Sequence, residues 1–505
     1  MSRRVRTAIV GAGFGGVAAA HALLKHGQDD FVMLERGDRA GGVWRANTYP
    51  GITCDVPSHV YSLSFAPNPR WTRRFSSGEE IQAYLLDVMR QFDLDKHLRL
   101  NADVVRATFD DASGRWRLEL GDGDTIDAEV LISACGQLTR PSVPKLPGLD
   151  TFRGEWFHSA NWPPRKELDG TRVAVVGTGA SAIQFAPAIA PVVEHMTIFQ
   201  RSAPWVVAKL DTEYGRAIRW LYARFPRLQR FARWFWQAQL EALVPVFTRQ
   251  PPLRARIISA VFRRLAAFQR FVQLRGNRQL IKVATPDYPL GCKRALLTSN
   301  WYPTLLRKNV DLCTSPIQEI VPDGVVTKDG RHHEVDTIVF GTGFTATEFL
   351  APMQVFGRGG VSIRDVWKDG AEAFLGITVP EFPNLFMLYG PNTNHGTGSA
   401  VELIEVQARY TAQAVSLLAN DQAKQLEVRR EAHDTFKQEL EGRLKDSVWA
   451  GCTSWYVTET GRITNNWPGT PEEYRQRAGQ LNVADYWTEA PVRRAAPEPM
   501  TATVL

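Results

Sequence analysis

Two strand–glycine-loop–helix–strand runs, at Val5–Glu35 and Arg172–Arg201, and an arginine-rich block at about 209–283 predict an α/β fold. The expected architecture is two Rossmann-like dinucleotide-binding domains with a helical insertion. At 505 residues the chain holds roughly two to four domains, taking about 100–200 residues per domain.

In the first run an apolar strand enters Gly11-Ala-Gly13-Phe14-Gly15-Gly16, a helix-compatible stretch reaches His26, and Phe31–Leu34 reads as the next strand. Gly11 makes the tight turn and Gly13 lets the backbone approach a pyrophosphate. Gly16 permits close helix–strand contact, and the helix N-terminus offers N–H groups and a positive dipole. Glu35, twenty-four residues after Gly11, stands where a carboxylate holds ribose hydroxyls. The second run repeats the design through Gly177-Thr178-Gly179-Ala180-Ser181-Ala182 and Met196–Phe199. Ala182, at the third glycine position, implies slightly looser helix packing. Twenty-four residues after Gly177 comes Arg201, followed by Ser202. A guanidinium there suits the 2′-phosphate of NADP; the plainer alternative is an arginine that only caps a strand end. Two such units imply a tightly held flavin, FAD, meeting an exchangeable NADPH.

The strand Ala128–Gly136 leads into a proline-rich connection at Thr139–Gly148, and a near copy of that strand recurs at Val335–Phe344. Each is expected to return the chain to the flavin domain. The expected domains are therefore 1–145 (FAD, first part), 146–333 (NADP, interrupted at 209–283) and 334–485 (FAD, second part, with a mobile substrate loop). A flexible tail is expected at 486–505.

The net charge of +7 is uneven: from Asp211 to Lys282, fourteen Arg and one Lys face three acids, a local +12. The block also carries Trp220, Phe225, Phe231, Trp234, Phe235 and Trp236. It reads as an insert with arginines toward solvent and aromatics toward the core; peripheral contact with anionic membrane is the rival reading. No nucleic-acid motif accompanies the charge. The five cysteines are never closer than twenty-one residues, so no redox pair or zinc spacing is offered and no metal is expected. The N-terminus leads straight into a strand, and no apolar run approaches the ~18–20 residues that span a bilayer. A cytoplasmic protein is expected.

Between the two runs, Phe152-Arg-Gly154-Glu-Trp-Phe-His158-Ser-Ala-Asn-Trp162-Pro163 matches F-x-G-x-x-x-H-x-x-x-W-P. That pattern resembles the fingerprint of type I Baeyer–Villiger monooxygenases. Gly41-Gly42-Val43-Trp44 through Tyr49-Pro50-Gly51 to Asp55 resembles the same family's flavin-wrapping segment, and Gly291-Cys-Lys293-Arg294 resembles its G-x-K-R segment. The resemblance implies that Asp55 lies near the flavin ring, that Lys293 helps hold the NADP phosphate, and that Arg294 faces the flavin. It further carries Tyr61, Val104 and Val401 to the FAD site and Trp455, in Ser454-Trp455-Tyr456, to a loop closing over nicotinamide and substrate. By position, His158 and Trp162 are read as hinge residues that set how the NADP domain docks. His395, in Tyr389–Ser399, reads as loop structure rather than as an acid–base catalyst.

The implied activity uses NADPH and O2, through a C4a-peroxyflavin, to convert ketones to esters or lactones. Arg294 is the expected stabiliser of developing negative charge, held by Asp55. The alternative is a flavin monooxygenase oxidising N or S atoms of soft nucleophiles, whose fingerprint typically lacks Trp-Pro. A disulfide reductase would need a paired redox-active cysteine.

Overall fold

The structure, a computed structural model, describes residues 3–164, 166–247, 252–452 and 454–489. Its first sheet begins with β1 (Arg3–Val10), helix α1 (Phe14–Lys25) and β2 (Phe31–Leu34), followed by β3 (Leu98–Arg99), β4 (Val104–Asp110), β5 (Arg115–Leu120) and β6 (Thr125–Ser133). β2 is buried on both faces, as is the end of β1. Continuous apolar strands of this kind suit a parallel sheet covered on two sides. Parallel pairing places Val10 beside Leu34 and Ser133, so all three chains end at the same edge, just below the Gly11 loop. Fully buried Val17, Ala19 and Ala20 seat α1 against that sheet.

The second sheet contains β7 (Glu155–His158), β8 (Arg172–Val176), helix α2 (Ala182–Ile189), β9 (His195–Phe199), β10 (Val310–Cys313) and β11 (Thr337–Phe340). Its order is β10-β9-β8-β11-β7, entirely parallel. β11 corrects one expectation. The near copy at Val335–Phe344 does not return to the first sheet; it pairs with β8 and β7, Phe340 lying opposite both Val176 and His158. It is to the second unit what β6 is to the first, the strand whose end closes over the glycine turn. The return comes later, through β12 (Gln354–Phe356) against β4 and β13 (Leu385–Met387) against β6.

Between β9 and β10 lies the basic insert, with helices α3 (Arg216–Arg224), α4 (Pro226–Glu241) and α5 (Leu253–Gln273). Here the structure reverses a second expectation. Trp220, Phe225, Phe231, Trp234 and Phe235 are all exposed, Trp220 and Trp234 at 62%; Trp236, half-buried, packs against the core. Amphipathic periodicity announces two faces but not which one finds a partner. After β13, helix α6 (Ala400–Ala419) is buried over most of its length and packs against α1. Tyr486 is buried and pairs with Val428, so the ordered chain extends past the expected tail boundary; residues 490–505 lie outside the described residues.

Candidate active site

The two glycine turns share one geometry. Gly11 and Gly177 both adopt φ of +105°, and a Cβ on either would sit 2.6 Å from a carbonyl oxygen, that of Ala134 or Gly341 respectively. No L side chain fits there. A Cβ on Gly13 would come within 3.4 Å of the Gly42 backbone, so the Gly11 and Gly41–Gly42 loops leave a backbone-lined slot. Gly16 does not line that slot: a Cβ there would meet the Gly11 oxygen at 2.0 Å, consistent with its expected packing role. At the equivalent place Ala182 carries its methyl against Gly341.

A single cavity of about 1910 Å³ joins the two turns, well above the roughly 300–1,000 Å³ of ordinary small-ligand sites. Gly11, Gly13, Phe14, Gly15, Glu35, Gly42, Val43, Trp44, Asp55, Tyr61 and Val104 line one part of it. Gly177, Thr178, Gly179, Ala180, Ser181, Arg201, Ser202, Lys293, Arg294 and Trp455 line the other. Val401 does not: it is fully buried in the core on α6, and its neighbours Ala400 and Ile404 face the cavity instead. One helix position decides this, because adjacent residues point about 100° apart.

Charge differs between the two ends. Glu35 is buried, its two oxygens accepting from Ala12 N (3.0 Å) and Gly37 N (2.9 Å). A carboxylate retains further lone pairs for ribose hydroxyls. At the second turn Arg201 is exposed to the cavity, Thr178 donates to the Ser202 carbonyl (3.2 Å), and Lys293 Nζ donates to Ser202 Oγ (3.2 Å). Burial first, and the Arg201 charge second, hold Lys293 below the usual lysine range. Two cations kept this close suit a dianionic group.

Where the two ends meet, Arg294 Nη2 lies 2.7 Å from the Asp55 carboxylate. The guanidinium, 39% exposed, opens onto the cavity. Asp55 raises its pKa above the arginine norm, so the group stays cationic. Tyr456 and Tyr389, which no sequence signal singled out as site residues, stand close enough to feel that charge; burial raises Tyr456 to about 12 and pushes Tyr389 upward too, so both hydroxyls remain protonated donors. Lys209 was also missed: its Nζ donates to Thr53 Oγ1 (2.6 Å) and to the Cys54 carbonyl (2.9 Å), pinning the Asp55 loop to the first residue of the insert. Burial lowers His395 to about 3, making it a neutral ring; it faces the cavity, and neither nitrogen has a partner among the described residues.

The fingerprint residues sit outside the cavity. His158 is buried, accepts from Ala160 N at Nδ1 (3.1 Å), and packs edge-on against Phe344. Phe344 in turn bridges Pro141, so His158 touches the place where two inter-sheet connections run side by side. Trp162 packs on Phe185 of α2, and Phe185 on Tyr49. Tyr49 Oη donates to Gln184 Oε1 (3.1 Å), and the Gln184 amide donates to the Thr53 carbonyl (3.0 Å). Through that chain of contacts the flavin-wrapping segment docks on α2.

One pairing carries no sequence signal. Cys292 and Cys452, 160 residues apart, form a disulfide with Cα atoms 6.1 Å apart. Sequence spacing had offered no pair, because only the fold brings the Lys293–Arg294 segment beside the Trp455 loop. Neither cysteine lines the cavity, so the pair does not supply the flavin-facing dithiol of a reductase. No metal-binding cluster occurs among the described residues.

Residues 4–236 match the flavin-binding monooxygenase-like family. The chain is 42% identical to a Baeyer–Villiger monooxygenase of Streptomyces coelicolor, over 95% of this chain and 92% of that one. The chain belongs to the Baeyer–Villiger monooxygenases. A further member from Pseudomonas aeruginosa is 39% identical over 96% of this chain and 92% of its own. Among solved structures, the cyclohexanone monooxygenase of Rhodococcus sp. Phi1 bound to NADP+ superposes on this monooxygenase with a TM-score of 0.83 at 27% identity, covering 95% and 97% of the two chains. An oxidized steroid monooxygenase bound to NADP gives 0.82 at 28%, covering 94% and 97%. No helix among the described residues is long and apolar enough to cross a membrane.

Proposed function

We propose that this monooxygenase holds FAD on the Gly11–Gly16 unit and NADPH on the Gly177–Ser202 unit, and that it converts ketones to esters or lactones with O2. The observation that carries the reading is the Arg294–Asp55 ion pair at the junction of the two cradles. The residues fit both cofactors: a slot that a Cβ at Gly13 would narrow, a carboxylate at one strand end, and two cations at the other. Bound FAD, reduced by NADPH, supplies the redox centre that activates O2. One oxygen atom enters the ketone C–C bond and the other leaves as water, with two electrons from NADPH.

Arg294 stabilises the negative charge that develops on the carbonyl oxygen under attack, as a preorganised cation does. Asp55 fixes its orientation. Tyr456 keeps a protonated hydroxyl close to the same place, while Tyr389 Oη donates to Asn394 Oδ1 (2.8 Å). Arg201, Ser202 and Lys293 hold the 2′-phosphate, Trp455 covers the nicotinamide side, and His158 and Trp162 set the docking of the NADP domain. A cytoplasmic setting fits the demand for NADPH. The test is turnover of the holoenzyme with 18O2 and a ketone panel. Labelled ester formed in proportion to NADPH consumed supports the reading. Peroxide release with every ketone, alongside clean oxidation of sulfides or amines, would assign the chain to N- or S-oxidation instead.

A further inference from the structure

We propose that the helical insert is a membrane-docking surface, which seats the enzyme on an anionic lipid bilayer beside the mouth of the cavity. Helix α5 carries Leu253, Ile257, Val261, Leu265, Phe268 and Val272 at steps of three and four, hence on one stripe, and every one is exposed. Leu265 and Phe268 also line the cavity, so the stripe, with exposed Arg254 and Arg264 set into the same face, reaches from open surface to the site. On α4, Trp236 lines the cavity while Trp234 is 62% exposed. Residues two positions apart on a helix are separated by about 200°, so the same helix serves the cavity with one side and solvent with the other. Soluble monomers rarely expose contiguous apolar faces of this extent without a partner for them.

The charge identifies the partner. Arg216, Arg224, Arg227, Arg230, Arg254 and Arg256 are exposed, and none pairs with a carboxylate among the described residues. The three acids of the block are engaged elsewhere: Asp211 and Glu213 with Arg73, and Glu241 with Arg475. A second copy of this chain would bring two faces of exposed arginines without carboxylate partners among the described residues against each other. A nucleic acid would meet the arginines but leave the aliphatic stripe in water. Anionic lipid satisfies both, because aromatic and aliphatic side chains enter the acyl boundary while guanidinium groups reach phosphates. An apolar ketone dissolved in the bilayer then meets Leu265 and Phe268 at the cavity lining.

Flotation of the holoenzyme with phosphatidylcholine vesicles, with and without phosphatidylglycerol, tests this. The wild type should float with the anionic vesicles at low salt, and its partition coefficient should fall at least about tenfold with phosphatidylcholine alone. Arg227→Glu with Arg230→Glu, and separately Trp220→Ser with Trp234→Ser, should each cost about tenfold. Turnover of a water-soluble ketone and the melting temperature should not change, since none of these four residues lines the cavity. Absence of flotation with either vesicle overturns the proposal, as does undiminished binding by the tryptophan variant. A wild-type dimer in sedimentation velocity that these variants dissociate would reassign the face to self-association. Salt-sensitive binding of duplex DNA, with no vesicle binding, would reassign it to nucleic acid.

Discussion

The Gly11 and Gly177 units have nearly one backbone and opposite electrostatics. Both turn through a glycine at φ +105°, and both press that turn to the same distance from the carbonyl that ends a neighbouring strand, Ala134 in one and Gly341 in the other. They differ at two places. Gly16 is crowded to the point that a Cβ would fall 2.0 Å from an oxygen, whereas Ala182 already carries a methyl. Glu35 is buried at its strand end, whereas Arg201 stands open to the cavity with Lys293 nearby. The shared backbone makes a pyrophosphate cradle, and the charge at the strand end selects which dinucleotide stays.

Breaking the first unit should have the largest effect. Gly16→Ala should yield protein that purifies without flavin, visible as loss of the flavin absorption bands. Retention of full flavin content would show that the turn relaxes more than its packing suggests. Next in size is Arg294→Ala, which acts where the units meet. Ester formation should drop about 10²–10³-fold, while NADPH-driven flavin reduction in rapid mixing survives. Loss of reduction as well would place Arg294 in cofactor docking rather than in oxygenation.

A smaller effect concerns pH. Lys293 is held below the lysine norm, so it carries its charge at low pH and loses it as pH rises through that lowered value. The kcat/KM for NADPH in the free enzyme should therefore break downward earlier than an ordinary lysine would allow. In Arg201→Ala one cause of the depression is gone, so the break should move to higher pH. With NADH, which has no 2′-phosphate, no break of this origin should be seen. The smallest effect is expected for Ala182→Gly, about 1 kcal/mol of stability from helix propensity, with NADPH affinity within about twofold.

The glycine turns, Glu35 and Arg201 were readable because their demands are local: a positive φ, a close backbone approach, a charge at a fixed offset. The Arg294–Asp55 contact spans 239 residues and was legible only through family resemblance. Thr337–Phe340 was assigned to the other sheet because a buried strand's own sequence does not name its neighbours. The insert's aromatics were expected inside for a similar reason, since amphipathicity leaves the partner unstated. Cys292–Cys452 and Lys209 gave no signal at all; both arise from chain segments that meet only in the folded molecule.

The division of labour between the units is tested most directly by the ratio of kcat/KM for NADPH to that for NADH in Arg201→Ala. Loss of hydrogen bonds to a charged phosphate is worth roughly 1.5–3 kcal/mol, so NADPH should fall about 10- to 150-fold with NADH nearly unchanged. An equal fall for both nucleotides would contradict the account, making Arg201 a structural residue and leaving the second unit without its selector.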